Sequence, residues 1–315
     1  MEQKAFNYLL LVALLGTMGV TWGITGYTLV SVSGGVGGIG GYQIDPVFIS
    51  ISGSTTCFPV IEECANEYMT LYPWYDIRVS SGGSTTGVNN AALDVSDIGM
   101  ASRPIKSSEF TATPTLIQWG FASDGIGVIF DAGATHGLTQ LNISQVFLIY
   151  NGTYDTWDDL GSVSTAAINV VTRASGSGTR ASFEELVQFG GEELGDNAGY
   201  IANVPSYTTY GENPSVAAAV AADSNAIGYV GLAFIDAAQH INVAISDDGG
   251  VSYFPATPQN VKDGLYPISR KLYLVTNGMP TAPIMAFMDF VFGPSGQKIT
   301  EDEGFVSILD ITTAP

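Results

Sequence analysis

The segment Arg173-Ala-Ser-Gly-Ser-Gly-Thr-Arg180 gathers the residue types best suited to hold a small oxyanion. It follows an apolar run, Ile168 to Thr172, and precedes a helical-looking stretch, Ala181 to Phe189. That order reads as a strand, a Gly/Ser/Thr turn and a helix N-terminus. The first backbone N–H groups of a helix have no intrahelical acceptor, and the helix dipole adds partial positive charge there. Ser177 and Thr179 add hydroxyl donors, and Arg173 and Arg180 add guanidinium forks matched to oxyanions. The segment therefore reads as a pocket wall for a tetrahedral anion or a phosphate group. A Ser or Thr in such a turn also commonly caps its helix and does nothing more. A nucleotide P-loop is a poor fit, because the segment has no Gly-Lys-[Ser/Thr] and so no phosphate-reaching lysine.

The elements around this turn alternate. Val47 to Ser52 reads as a strand ending in Ser52-Gly53-Ser54-Thr55-Thr56, followed by a helix from Pro59 to Leu71. Asp76 to Ser80 is a strand ending in Gly82-Gly83-Ser84-Thr85-Thr86-Gly87 and a short helix. Asp97 to Ala101 is a strand ending at Ser102-Arg103-Pro104. Further strands are expected at Ile126–Phe130, Ile168–Thr172, Ala226–Val230 and Leu272–Thr276. Further helices are expected at Asn142–Ile149, Ser177–Phe189, Val216–Ala222, Pro283–Phe292 and Ser295–Glu303. Such alternation predicts an α/β fold with mixed, mainly parallel sheets and flanking helices.

Three of these strand ends carry the same kind of turn: Ser54-Thr55-Thr56, Ser84-Thr85-Thr86 and Ser177-Gly178-Thr179. Ligands of open α/β sheets bind beyond the carboxyl ends of strands, so three such turns can converge on one anion. Ser102 and Arg103 stand at a fourth strand end. The alternative is that each turn only caps its own helix.

With these motifs in hand, the chain from Asp45 to Leu309 resembles the substrate-binding proteins of phosphate ABC transporters, within the periplasmic-binding-protein-like superfamily. The resemblance rests on Gly53-Ser-Thr-Thr56, Gly82-Gly-Ser84, Asp97-Ile-Gly-Met-Ala-Ser-Arg103 and, most specifically, Arg173 through Arg180. Ala226-Ile-Gly-Tyr-Val230, Tyr266-Pro-Ile-Ser-Arg270 and Gly296-Gln-Lys298 also match. It implies a two-lobed type II receptor that closes on inorganic phosphate and delivers it to a membrane permease. Carried over by residue, Arg173, Ser177, Gly178 and Thr179 would bind from one lobe. Ser84, with Ser54, Thr55 and Thr56 of the first turn, would bind from the other, and Ser102 and Arg103 would complete the site. Lobe I is expected over about residues 45–124 and 251–315, and lobe II over about 125–250.

Two departures from the family pattern stand out. Well-known bacterial members carry an aspartate after the third strand that accepts a proton from phosphate. Counted from Asp97, that position here is Ser102, followed by Arg103. The alternative role for Arg103 is a salt bridge across the cleft mouth, and Asp97 reads as structural, holding Arg103 or a turn. With the prolines matched at Pro59, the family's binding threonine falls on Cys57, which leaves Thr56 and backbone N–H groups to serve there. Loss of the aspartate keeps other tetrahedral oxyanions open: sulfate, molybdate or tungstate. A surface phosphate sensor is a further alternative.

Bulk properties narrow the remaining classes. The chain has 315 residues, 46% of them hydrophobic and 13% charged, enough for one large or two medium domains. A net charge of −20 repels nucleic acid and anionic lipid, so neither is an expected partner. An enzyme needs a base beside a nucleophile. His136 and His240 lie outside the Ser/Thr turns, and Ser177 is not in a Gly-x-Ser-x-Gly elbow, so no catalytic residue is assigned. Nor is any metal or cofactor expected. Cys57 and Cys64, roughly 10 Å apart along a helix axis, read as unbridged buried thiols. Tyr8 to Val30 is largely apolar after Lys4, so residues 1–30 are expected to form a signal peptide or signal-anchor that holds the protein at the membrane, outside the cytoplasm. Residues 31–44 form a Gly-rich tether, Asn142-Ile-Ser144 and Asn151-Gly-Thr153 fit the glycosylation pattern, and a monomer is expected.

Overall fold

The computed structural model describes residues 46–187 and 204–309. The expected signal or anchor over 1–30, the tether over 31–44, and the end of the helix expected to reach Phe189 lie outside the described residues. Among the described residues no helix is long and apolar enough to cross a membrane.

In chain order the first elements are β1 (Val47–Gly53), α1 (Phe58–Leu71), β2 (Tyr75–Ser81), α2 (Ser84–Ala92), β3 (Ile98–Ala101), α3 (Ser107–Ala112) and β4 (Leu116–Asp131). Next come β5 (Gln140–Asn142), α4 (Ile143–Tyr150), β6 (Asn169–Arg173), α5 (Gly178–Leu186), β7 (Tyr207–Tyr210), α6 (Asn213–Ala221) and β8 (Ala226–Gly231). The chain continues through β9 (His240–Asn242), β10 (Ala244–Ser246), α7 (Pro258–Lys262), β11 (Ser269–Asn277), α8 (Ala282–Phe292), α9 (Pro294–Asp302) and β12 (Val306–Ser307).

Local sequence explains these elements. In β1 the inward residues Ile49 and Ile51 are 1% exposed, as expected of a period-2 strand. In α1, Pro59 occupies the first turn, where its missing N–H costs nothing, and Val60, Ile61, Cys64, Ala65 and Tyr68 form one buried stripe. Cys57 and Cys64 are free and buried, as the spacing predicted.

Ten of these strands form one mixed sheet in the order β2-β1-β3-β11-β4-β8-β6-β7, with β12 and β9 also paired to β4, and β5 and β10 pair in parallel as a separate two-stranded sheet. The β1–β2, β1–β3, β6–β7 and β6–β8 pairs are parallel. The pairs that involve β4 or β11 are antiparallel. The sixteen-residue β4 joins the two halves: Leu116 to Gly125 pairs with β11, and Ile126 to Phe130 pairs with β8. Sequence periodicity located only its second part, Ile126–Phe130. Gly120 and Gly125 interrupt the apolar pattern upstream, and the β4–β11 register shifts between Leu272 and Tyr273.

Each half has its own core. Ile49, Ile51, Val60, Ile98, Met100, Phe121, Leu272 and Phe287 belong to one. Ile126, Val128, Phe130, Trp157, Val170, Phe183 and Tyr229 belong to the other, together with Ala256, Val261, Tyr266 and Ile268.

Candidate functional site

The parallel strands β1, β2 and β6 end where α1, α2 and α5 begin, which brings the three Ser/Thr turns together. The backbone of Thr85 donates to the carbonyl of Gly176 at 3.2 Å, and so links the second turn to the third. Ser84, at the first position of α2, faces Gly178 so closely that a Cβ on Gly178 would collide with the hydroxyls of both Ser84 and Ser102. Glycine is required there by close approach rather than by backbone angle.

Every sequence-designated residue is buried: Ser54, Thr55, Thr56, Ser84, Ser102, Arg103, Arg173, Ser177, Gly178 and Thr179. Their partners divide them. The Ser54 hydroxyl accepts from the backbone of Thr56 at 3.2 Å and of Cys57 at 3.4 Å, and the Ser177 hydroxyl accepts from Arg180 N at 3.3 Å. The Ser177 side chain thereby caps α5, and Ser54 closes the turn that leads into α1. Thr56 and Thr179 instead meet across the halves, with hydroxyl oxygens 3.1 Å apart. Ser84 and Ser102 hydroxyls are 3.2 Å apart, and Ser84 also accepts from the backbone of Ser102 at 3.0 Å.

Arg173 lies at the centre and is 1% exposed. It donates to Asn213 Oδ1 at 2.5 Å, to Thr55 Oγ1 at 3.0 Å and to the Gly211 carbonyl at 2.6 Å. Its Nε is buried without a hydrogen-bond partner. Arg103 is engaged otherwise: it pairs with Glu109 at 2.6 Å and donates to the Pro104 carbonyl and to Thr85 Oγ1. Glu109 also accepts from the backbone of Lys106 at the start of α3, so this pair lies within one half rather than across the cleft. Asp97 accepts from the backbone and hydroxyl of Ser50, which ties β1 to β3 and leaves Arg103 to Glu109. Arg180 pairs with Glu184 at 2.7 Å and donates to the Arg173 carbonyl.

Three residues join this group that sequence reasoning did not designate. Arg270, opposite Asp124 on the β11–β4 ladder, pairs with Asp124 at 2.8 Å. The same Nη2 donates to Thr179 Oγ1 at 3.0 Å and Thr56 Oγ1 at 3.3 Å, and Arg270 Nη1 is buried without a hydrogen-bond partner. Asn213, at the first position of α6, donates from Nδ2 to Thr56 Oγ1 at 2.9 Å. A usable signal existed for one of them: Asp124 is an isolated charge inside largely apolar strand sequence, and buried charges are normally paired.

Electrostatics follow from burial. Loss of water lowers the Arg173 guanidinium to about 10, with nearby Arg270 lowering it further and Tyr229 opposing. Burial raises Asp124 above the usual carboxylate range against the pull of Arg270. The Cys57 thiol is pushed up to about 12 by burial and donates to the Ala101 carbonyl, so it is a neutral wall rather than a nucleophile. Unpartnered guanidinium N–H groups, hydroxyls and helix N-termini in a dry space suit an anion. Among the described residues no cluster of His, Cys, Asp and Glu could hold a metal ion.

A mixed α/β sheet in two halves, with donors from both converging between them, defines a ligand-binding protein of the periplasmic receptor type. The chain belongs to the PBP superfamily domain family, which matches residues 32–295. It is 26% identical over 280 residues to the phosphate-binding protein PstS of Pseudomonas aeruginosa, covering 82% of this chain and 83% of that one. The Bacillus subtilis protein of the same name is 27% identical over 264 residues, covering 84% and 81%. An X-ray structure from Clostridium perfringens with bound phosphate, put forward as a phosphate ABC transporter substrate-binding protein, superposes with a TM-score of 0.73. It is 32% identical and covers 83% of this chain and all of that one.

Proposed function

We propose that this chain captures inorganic phosphate outside the cytoplasm, between two lobes that close on it, and presents it to an ABC-type permease. The observation that carries the reading is Arg173, a buried guanidinium with an unpartnered Nε that reaches Thr55 of the other half and, through Asn213, Thr56. The names of the Pseudomonas and Bacillus relatives and the phosphate in the Clostridium structure support phosphate as the ligand. Arg173, Thr179, Gly178, Ser177, Ser84, Ser102 and the Ser54–Thr56 turn are the proposed contacts, with Ser177 serving through the helix start it caps and Ser54 through the turn it closes. Arg103, neutralised by Glu109, acts through Thr85.

The lobes are proposed to divide where β4 changes partner, at Asp124 and Gly125, and where the chain returns into β11. The segment from Val251 to Ile268 leads back from lobe II, whose core receives its apolar residues. The apolar N-terminal segment and the Gly-rich tether are proposed to hold a monomer at the membrane. No turnover is proposed: His136 stacks on Trp157 and His240 Nε2 faces the Ala217 carbonyl, so neither serves as a base for a site hydroxyl.

Closure is tested by small-angle X-ray scattering. The radius of gyration is expected to fall when inorganic phosphate is added, and binding without contraction would contradict the two-lobe reading. Gly178→Ala should hold the halves apart by pressing on Ser84 and Ser102, with phosphate affinity reduced roughly tenfold or more and little change in thermal midpoint. An affinity equal to wild type would place the anion elsewhere. Arg173 keeps its charge at neutral pH and loses it as pH rises through about 10, so phosphate affinity should fall on that limb. A calorimetric pH series showing the main loss near neutrality would contradict this assignment.

A further inference from the structure

Resting on that reading, we infer that Asn213 and Arg270 are positioning residues that orient the Thr56 hydroxyl to donate to Thr179, and so leave the Thr179 hydroxyl as a donor toward the bound anion. The argument is an accounting of hydrogens. A guanidinium has no acceptor, so the Asn213 atom facing Arg173 at 2.5 Å is the carbonyl oxygen. The Asn213 amide nitrogen must then face Thr56, and it does so at 2.9 Å. Arg270 Nη2 carries two hydrogens: Asp124 takes one at 2.8 Å, and Thr56 Oγ1 at 3.3 Å and Thr179 Oγ1 at 3.0 Å share the other. The Asn213 N–H and this shared N–H approach Thr56 Oγ1 on its lone-pair side, which turns the Thr56 hydrogen outward.

The outward direction leads to Thr179 Oγ1 at 3.1 Å. Thr179 also receives the shared Arg270 N–H on its lone-pair side. Its own hydrogen is the one left to offer an anion. Polarity therefore runs from Arg173 through Asn213 and Thr56 to Thr179, with Arg270 holding both hydroxyls from below. Asp124 fixes Arg270 through Nε at 3.2 Å and Nη2 at 2.8 Å, and is itself held by the backbone of Leu232 at 2.9 Å.

The placement adds a second consequence. Arg270 and Asp124 face each other beside the point where β4 changes partner, while Thr56 precedes α1 and Thr179 opens α5. Arg270 can touch both hydroxyls only when the halves are together. The same arrangement leaves Ser84 and Ser102 as the site hydroxyls free to switch between donor and acceptor. A protonated oxygen of the ligand is accordingly directed to that pair.

A double-mutant cycle tests the chain of donors, with inorganic phosphate as probe and calorimetry as readout on the full chain. Asn213→Ala should weaken phosphate roughly tenfold or more in the wild-type background, and less than about twofold in the Thr179→Val background. Arg270→Lys, which keeps the charge beside Asp124 but loses the fork, should behave in the same way. Thermal melts of each variant separate lost folding from lost positioning. Equal losses in both backgrounds, or no loss from Asn213→Ala, would overturn the inference and leave phosphate binding intact. A wild type that ignores phosphate but takes sulfate or molybdate overturns the phosphate reading, and the cycle is then read with that anion. A wild type that takes none of the three overturns both.

Discussion

Replacing Arg173 with methionine is expected to weaken phosphate binding by roughly 2–5 kcal/mol, a loss of about 30-fold to a few thousand-fold. The size follows from burial: at 1% exposure, water cannot replace the missing guanidinium. The same substitution should leave the unliganded protein as stable as wild type, or more so. Burial lowers the Arg173 guanidinium from its ordinary value to about 10, which means that the fold disfavours the charge it holds. Proteins commonly carry such local costs at binding sites. The check is a pair of measurements, calorimetric affinity and the thermal midpoint without ligand. Intact affinity would refute the placement of the anion, and a large drop in midpoint would show that Arg173 serves the fold instead.

Asp124→Ala is expected to act in the opposite way, on folding first. It strips the partner from buried Arg270 and the acceptor from Leu232 N. Removing one member of a buried ion pair typically costs about 3–5 kcal/mol, because the surviving charge has neither water nor partner. The companion double substitution, Asp124→Leu with Arg270→Met, removes both charges and should recover most of that stability. It should not recover phosphate affinity, since Thr56 and Thr179 would lose the donor that holds them. Urea denaturation of both variants checks the first half of this expectation and calorimetry the second. A single variant as stable as wild type would mean that the pair is solvated in solution.

Sequence revealed the turns better than the frame beneath them. Ser54–Thr56, Ser84–Thr86 and Ser177–Thr179 were legible because strand, small-residue turn and helix follow one another within a few residues, and local chemistry sets such signals. Short apolar runs marked β1, β6 and β8 for the same reason. The first part of β4 was not legible, since its glycines read as breaks and its pairing with β11 spans a long stretch of chain. Asn213 was hidden for a different reason. It opens α6 and is held in place by Arg173 and Thr56, both distant in sequence. Arg270 lay within a stretch whose resemblance was noted, yet nothing local shows that its side chain reaches Thr56 and Thr179. The position of Arg103 after β3 suggested a ligand contact, and nothing local shows that Glu109 at the start of α3 takes up much of its guanidinium.

Two charged pairs, Arg270 with Asp124 and Arg103 with Glu109, balance themselves, so Arg173 is the buried guanidinium of the site without a carboxylate partner. That balance explains how a chain of net charge −20 can hold an anion at all. Short-range donors in a dry cleft outweigh a long-range field that salt screens over about 10 Å. Calorimetric titration of the full chain with inorganic phosphate, repeated in excess sulfate, tests this account most directly. It predicts one bound phosphate per chain, with heat from phosphate retained in sulfate, and Ser84 and Ser102 able to receive a proton of the ligand. Tight sulfate binding with no heat from phosphate would contradict it.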